Sequence, residues 1–306
     1  MTRHPNGVRI LVLGATGMLG SVVLRVLTSS PLSSVYGTTR SPESIAHLPK
    51  SLRGQVLSGV EALSDESLDR AFEAVGPTHV INCVGIVKQL TESEDPVSSI
   101  CINSLLPHRL AKRCASTGAR LIHVSTDCVF SGDAGMYQES DRPDAQDLYG
   151  RSKLLGEVDY GDSLTIRTSI IGHELASRHG LVEWFLAQDG AVPGFTRAVF
   201  SGLTTVELAC IIRDLLIHNT ALVGLYHVSA DPISKFDLLN LISRVYGTSA
   251  RVFPDDKLVI DRSLDSSRFR SETGYSPPRW DEMVNAMHSF GQLDLNSSGP
   301  YGAGTS

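Results

Sequence analysis

The chain has 306 residues and a formal net charge of −6, with no basic run and no basic–aromatic patch, so a nucleic-acid partner is not expected. Its hydrophobic content of 42% supports a full core, and no segment reaches the apolar length that a membrane span needs. The length suits one large α/β domain, or a nucleotide domain with a smaller lobe.

Val8 to Leu13 (VRILVL) is a continuous apolar run, as in a strand buried on both faces. It is too short for a signal peptide and has no cleavage site, so the cytoplasm is the expected compartment. A helical pattern follows through Leu19, Val22, Val23, Val26 and Leu27. Ser33–Thr39 and Val56–Leu57 read as strands. Ser64 caps a helix with Asp65 and Glu66 in its first turn. His79–Cys83 is a strand, Val97–Thr117 a helix stopped by Gly118, and Arg120–Ser125 a strand. Tyr149–Tyr160 reads as helix and Leu164–Arg167 as strand.

Strand and helix in alternation predict βαβ units and a parallel sheet, with ligands at the carboxyl ends of the strands. Further on, helices are predicted over Gly180–Gln188, Thr204–His218 and Ser234–Tyr246, with a strand over Leu225–Val228. The expected division is a nucleotide-binding domain over 1–168, rejoined by about 200–230. A substrate lobe takes 169–199 and 231–290, and a small, polar, flexible tail takes 291–306.

Gly14-Ala15-Thr16-Gly17-Met18-Leu19-Gly20 has GxxGxxG spacing between the first strand and the first helix. Glycine permits a sharp turn and lets backbone N–H groups approach a pyrophosphate at a helix N-terminus. At the end of the second strand, Gly37-Thr38-Thr39-Arg40-Ser41 has no acid for a ribose hydroxyl, and Arg40 suits a 2′-phosphate. The expected cofactor is NADPH, with NADH as a second that the site could take. Val60 sits where a side chain meets adenine. Cys83-Val84-Gly85 is small enough to pass under a cofactor.

Ser125-Thr126-Asp127-Cys128-Val129-Phe130-Ser131-Gly132 is followed by Tyr149-Gly150-Arg151-Ser152-Lys153. Tyr149 and Lys153 are i and i+4 and share one helix face. A phenol titrates near ~10, and a neighbouring ammonium together with the positive nicotinamide of the oxidised cofactor would bring it down towards working pH. Such a tyrosine can pass a proton to a carbonyl oxygen, and Thr126 can hydrogen-bond the same oxygen.

These motifs resemble the extended short-chain dehydrogenase/reductases of the dTDP-4-dehydrorhamnose reductase type. That family reads STDYVFxG and YGxxKxxGE where this chain reads STDCVFSG and YGRSKLLGE. VINCVG, Asn103 and the run from Arg262 to Phe269 with Gly274-Tyr275 and Trp280 extend the similarity from about Val8 to Phe290. The resemblance implies a Rossmann-type doubly wound parallel sheet of about seven strands with a smaller C-terminal lobe. It implies Thr126, Tyr149 and Lys153 as catalytic residues. It places the cofactor along Gly14, Thr16, Gly17, Met18, Leu19, Arg40, Val60, Cys83, Val84 and Gly85, with Tyr149 and Lys153. The implied reaction reduces a nucleotide-activated 4-keto-6-deoxy sugar, for surface polysaccharide or deoxysugar synthesis. Homodimers are common in this superfamily.

The chain departs from the pattern at two places. Ile170 stands where the family often has a tryptophan, which changes the sugar pocket. Cys128 replaces a tyrosine, which resembles the GDP-fucose synthase type, an epimerase-reductase. On that reading His179, or else His173, would partner the thiol. The alternative is a small buried cysteine. Asp127 and Cys128 adjoin the ketone, and Arg197 or Arg262 could meet a diphosphate or form a surface ion pair. Trp184 and Phe185 could line the pocket, but at helical spacing they read as core. A regulatory subunit resembling the methionine adenosyltransferase beta subunit is the non-catalytic alternative, against which the retention of Thr126, Tyr149 and Lys153 argues. The five cysteines are odd in number and lack a CxxC pair, so reduced, mostly buried thiols are expected for the four other than Cys128. No cluster has metal-site spacing, and no metal is expected.

Overall fold

Val8–Leu13 forms β1, and it is covered on both faces. The structure is a computed structural model that describes residues 7–29, 33–87 and 95–297. Ile10 and Val12 pack into one hydrophobic cluster and Leu11 and Leu13 into another. Alternate side chains point to opposite faces of a strand, so burial of both faces demands the unbroken apolar run.

The following strands are β2 (Ser33–Thr39), β3 (Val56–Ser58), β4 (His79–Asn82), β5 (Arg120–Thr126) and β6 (Leu164–Thr168). Four short strands come next: β7 (Ile170–Ile171), β8 (Ala191–Phe195), β9 (Ala198–Phe200) and β10 (Leu203–Thr204). Then come β11 (Gly224–His227), β12 (Ile233–Ser234), β13 (Arg251–Asp255) and β14 (Ile260–Asp261). The main sheet has seven strands in the order β3-β2-β1-β4-β5-β6-β11, all parallel. Chain direction across the sheet reverses between β1 and β4, which opens a crevice at their carboxyl ends.

The helices are α1 (Met18–Thr28), α2 (Asp65–Val75), α3 (Pro96–Ser99), α4 (Leu106–Thr117) and α5 (Leu148–Leu155). After them come α6 (Leu181–Leu186), α7 (Thr205–Ile211), α8 (Lys235–Tyr246), α9 (Ser267–Thr273) and α10 (Trp280–Ser297). α1 and α7 cover one sheet face, α2 and α4 the other. A third cluster, built on Val182, Phe185, Phe200, Leu238, Ile242 and Met287, forms the core of the smaller lobe. Two parallel strands, β8 and β13, and the three-stranded sheet β12-β9-β14 complete that lobe.

Several elements differ from the sequence expectation, among them the helix expected over Thr204–His218, which passes into a π segment at Ile212–Leu216. The helix expected over Val97–Thr117 contains a widened π segment at Ile100–Leu105, where the Leu106 N–H bonds the Cys101 carbonyl. Pro107 has no N–H to give back to the preceding turn, which favours that local widening. The helix expected over Tyr149–Tyr160 ends at Leu155, because Gly156 lies against the Asn103 carbonyl so closely that a Cβ there would stand 1.9 Å away. Finally, α10 runs on through 291–297, a stretch read as tail. No glycine or proline interrupts it after Gly291, and the first breaker pair is Gly299-Pro300. Residues 298–306 lie outside the described residues. No helix among the described residues is long and apolar enough to cross a membrane.

Candidate active site

The glycine loop joins β1 to α1 beneath the crevice. Gly14 takes φ of 78°, a region that L side chains avoid. A Cβ on Gly20 would stand 2.1 Å from the Gly14 carbonyl oxygen, so only glycine lets α1 start this close to the turn. Gly17 is the N-cap of α1 and brings no side-chain acceptor, which leaves first-turn N–H groups available to an anion. The loop is tied to β2 by Ala15 N–H to the Thr38 carbonyl at 2.9 Å and by a 3.1 Å contact of the Thr16 and Thr39 hydroxyls. Arg40 follows β2 and is exposed, with no hydrogen bond or ion pair among the described residues. Val60 is half-buried and donates its N–H to the Thr39 carbonyl at 3.0 Å. These residues fit a dinucleotide phosphate: uncapped helix amides, close backbone and one free guanidinium.

Across the crevice, β4 ends at Asn82. A Cβ on Gly14 would stand 3.1 Å from Val84 and 3.3 Å from the Cys83 backbone, so the two strand ends touch. The turn Cys83-Val84-Gly85 is held from above by Asn103. Its amide oxygen accepts the Ile86 N–H at 2.9 Å, and its amide nitrogen donates to the Ile86 carbonyl at 3.1 Å and the Ser152 hydroxyl at 3.2 Å. Asn103 lies in the widened π segment, which presents it between β4 and α5.

The catalytic candidates gather at the end of β5. The Thr126 hydroxyl caps the short turn Asp127–Val129 by accepting the Cys128 N–H at 3.1 Å, and donates to Asp127 at 3.1 Å. α5 begins at Leu148 because the Asp147 carboxylate accepts the Gly150 N–H at 2.7 Å. Gly150 then packs on the turn: a Cβ there would be 2.3 Å from the Cys128 carbonyl oxygen. That contact fixes Tyr149 beside Thr126.

Burial and the neighbouring Cys128 push the Tyr149 phenol above its ordinary range, while the Thr126 hydroxyl works the other way. Without the cofactor, Lys153 is not among the groups that act on the phenol. The Lys153 ammonium is turned to the Val124 carbonyl at 2.8 Å, and burial brings its pKa down to about 8 against the pull of Glu157 and Cys83. Tyr149 is therefore held as a protonated phenol, a donor in waiting.

Glu157, which closes the YGRSKLLGE run, accepts the Ser125 hydroxyl at 2.7 Å and Arg167 at 2.8 and 2.7 Å. This ion pair is nearly closed to solvent. Arg167 continues to His227 at 3.2 Å. Arginine only donates, so His227 accepts at Nε2 and donates from Nδ1 to the Tyr137 carbonyl at 2.9 Å. Burial, with Arg167 beside it, lowers His227 to about 4 and keeps it neutral.

Of the substrate-side candidates, Asp127, Cys128 and Arg262 meet. Arg262 donates to the Phe130 carbonyl at 2.8 Å and approaches the Cys128 sulfur at 3.8 Å. The rest of the late motif docks beside it, with Ser263 accepting Met136 N–H at 2.8 Å and Asp265 N–H reaching the Tyr137 carbonyl at 2.8 Å. Burial raises Asp127, and Arg262 opposes that rise. Burial and Asp127 push the Cys128 thiol up to about 12, which disfavours a thiolate.

The structure does not join the remaining candidates to this group. His179 is exposed. His173 is engaged by Glu183 at 2.5 Å and by the Tyr246 hydroxyl at 2.8 Å. Arg197 is exposed in the turn between β8 and β9. Ile170 pairs with Leu203 and packs on the main core. Phe185 is core as expected, but Trp184 is exposed. All five cysteines are free, Cys114 buried and the other four half-buried. Among the described residues no group of three His, Cys, Asp or Glu could hold a metal ion.

One contributor was not read from the sequence. Lys235 opens α8, and Asp127 and Cys128 both act on its charge. A lysine one residue after a serine cap carries no signal of its own, and only the approach of the lobe brings it to the turn.

The model of the RmlD substrate binding domain matches residues 8–289. The chain belongs to that family. It is 28% identical over 299 residues to the "Probable low-salt glycan biosynthesis reductase" of Haloferax volcanii, which covers 91% of this chain and 96% of the relative. It is 32% identical over 155 residues to methionine adenosyltransferase 2 subunit beta of Xenopus tropicalis, covering 49% of this chain and 41% of that protein. Among solved structures it is similar to the dTDP-4-dehydrorhamnose reductase of Bacillus anthracis in complex with NADP. The TM-score is 0.76 at 20% identity, covering 93% and 100% of the two chains. At that identity the likeness concerns the fold, a seven-stranded parallel sheet with small C-terminal sheets.

Proposed function

We propose that the chain is an NADPH-dependent reductase acting on the keto group of a nucleotide-activated 4-keto-6-deoxy sugar, in surface polysaccharide or deoxysugar biosynthesis. The observation that carries this reading is the placement of Thr126, Tyr149 and Lys153 around the end of β5, next to the strand end that touches the glycine loop. The cofactor supplies the hydride that reaches the carbonyl carbon.

The chain's own residues do the rest. Tyr149, kept protonated by burial, donates its proton to the carbonyl oxygen. Thr126 hydrogen-bonds that oxygen and orients it. Lys153 holds the nicotinamide ribose from the floor formed by Val124 and Cys83. The first-turn amides of α1 take the pyrophosphate, and Arg40 takes the 2′-phosphate. Val60 borders the adenine.

The test is loss of NADPH absorbance with dTDP-, UDP- and GDP-linked 4-keto-6-deoxy sugars. Tyr149→Phe is expected to lose about 10²–10⁴-fold in turnover while binding NADPH normally. Wild-type turnover in that variant would overturn the assignment.

The likeness to the methionine adenosyltransferase beta subunit favours a second reading, an NADP-binding regulatory subunit. It predicts tight NADPH binding with no turnover across the panel and an enzyme that co-purifies. Against the epimerase-reductase reading stand the raised Cys128 thiol and the absence, among the described residues, of a hydrogen bond from it to His173 or His179.

A further inference from the structure

The lobe presents two cations to the catalytic turn, and only one of them is spoken for. In the sheet β12-β9-β14, Ser234 and Asp261 lie opposite the same residue, Val199. Lys235 and Arg262 leave that shared rung in opposite directions along β9, because β12 runs antiparallel and β14 parallel to it, and the Lys235 side chain turns back to Phe200. Arg262 is committed: its Nε donates to the Phe130 carbonyl at 2.8 Å and its fork reaches the Cys128 sulfur at 3.8 Å. Lys235 is not. Its ammonium lies 4.3 Å over the centre of the Phe200 ring, and it has no hydrogen bond or ion pair among the described residues.

A half-buried ammonium without hydrogen-bond partners in the protein is costly. A ring face recovers part of that cost. The carboxylate of Asp127 also acts on Lys235 and offsets part of the burial that lowers its pKa. Three N–H donors are still unused. Asp127 directly follows Thr126, so whatever Lys235 faces lies next to the reacting carbonyl.

We propose that Lys235 is a substrate-contacting residue whose ammonium hydrogen-bonds the oxygen substituents of the sugar beside the reacting carbonyl, opposite Asp127. This rests on the reductase reading of the site. With the ketone oxygen held by Thr126 and Tyr149, the neighbouring substituents face Asp127 on one side and Lys235 on the other. A sugar hydroxyl both donates and accepts, and an acceptor paired with a cationic donor meets both needs. The site therefore selects sugars that are oxygenated at the carbon next to the ketone, over analogues deoxygenated there.

The experiment compares the full-length wild type, Lys235→Met and Lys235→Arg, each saturated with NADPH, by calorimetry with dTDP-, UDP- and GDP-linked sugars. Methionine keeps the apolar stem on Phe200 and removes the charge. The expected result is binding weaker by about tenfold or more in Lys235→Met. Lys235→Arg should recover part of it, and NADPH affinity and melting temperature should not change. Equal sugar affinity in wild type and Lys235→Met would overturn the proposal. So would a parallel loss of NADPH affinity and thermal stability, which marks a structural role. Absence of turnover with the Lys235 dependence of binding intact would overturn the reductase reading and leave this proposal standing. If the wild type binds no nucleotide sugar, both fall.

Discussion

The Lys153 ammonium bonds the carbonyl of Val124, two residues before Thr126, at 2.8 Å. One residue further along β5, Glu157 accepts the Ser125 hydroxyl at 2.7 Å, and at the next Tyr149 meets Thr126. Three consecutive positions of one strand end are thus held by α5 and the turn after it. The spacing of YxxxK and the glutamate beyond it serves that grip.

Lys153 gives the site a pH limit. Its pKa falls from 10.5 to about 8, chiefly through burial. Between those values the unfolded chain binds the proton and the folded chain does not, so this residue's contribution to stability rises with pH through that window. Its ammonium is present below about 8 and lost above. NADPH affinity is expected to fall as pH rises through about 8, read by fluorescence titration, and Lys153→Met should abolish the step. A flat wild-type profile would refute the role given to this lysine.

Glu157→Gln leaves the Arg167 guanidinium buried without its counter-charge. Breaking such a pair from one side costs about 3–5 kcal/mol. Urea unfolding should show it, and the double variant Glu157→Gln/Arg167→Met should be less destabilised than the single one. A double loss equal to the sum of the Glu157→Gln and Arg167→Met losses would mean that the pair is not coupled.

Gly150→Ala puts a methyl 2.3 Å from the Cys128 carbonyl oxygen and 2.6 Å from the Ala145 methyl. Neither is a flexible side-chain end, so α5 must shift. The expected loss is about 1–3 kcal/mol of stability, with turnover falling further than stability because Tyr149 moves with the helix. Denaturant midpoints and kcat measured together test this, and an unchanged kcat would show that Tyr149 tolerates the shift.

Arg40→Ala removes the guanidinium available to a 2′-phosphate. NADPH affinity should weaken by about 10–100-fold, the scale of a charge-assisted pair, with NADH affinity unchanged. If both cofactors weaken equally, Arg40 supports the loop rather than reading the phosphate.

Local order was legible along the chain. Ile10 to Leu13 declares a strand buried on two faces, and Gly14, Gly17 and Gly20 declare a sharp turn with the helix start packed close against it. Tyr149 and Lys153 share a face through helical periodicity alone. These signals are short-range, set by strand and helix repeat and by glycine's missing Cβ. The direction of the Tyr149 shift was not legible, because it depends on burial and on Cys128, 21 positions away in sequence. Nor was the separation of His173 and His179 from Cys128, nor the end of α5 at Leu155, which is set by Gly156 meeting Asn103. The arrival of Lys235 at Asp127 is of the same kind. Residue order determined the strand–helix alternation, the glycine loop and the Thr126, Tyr149 and Lys153 set. The tertiary structure alone decided what surrounds them, because burial and charge act across space between segments whose approach no local pattern encodes.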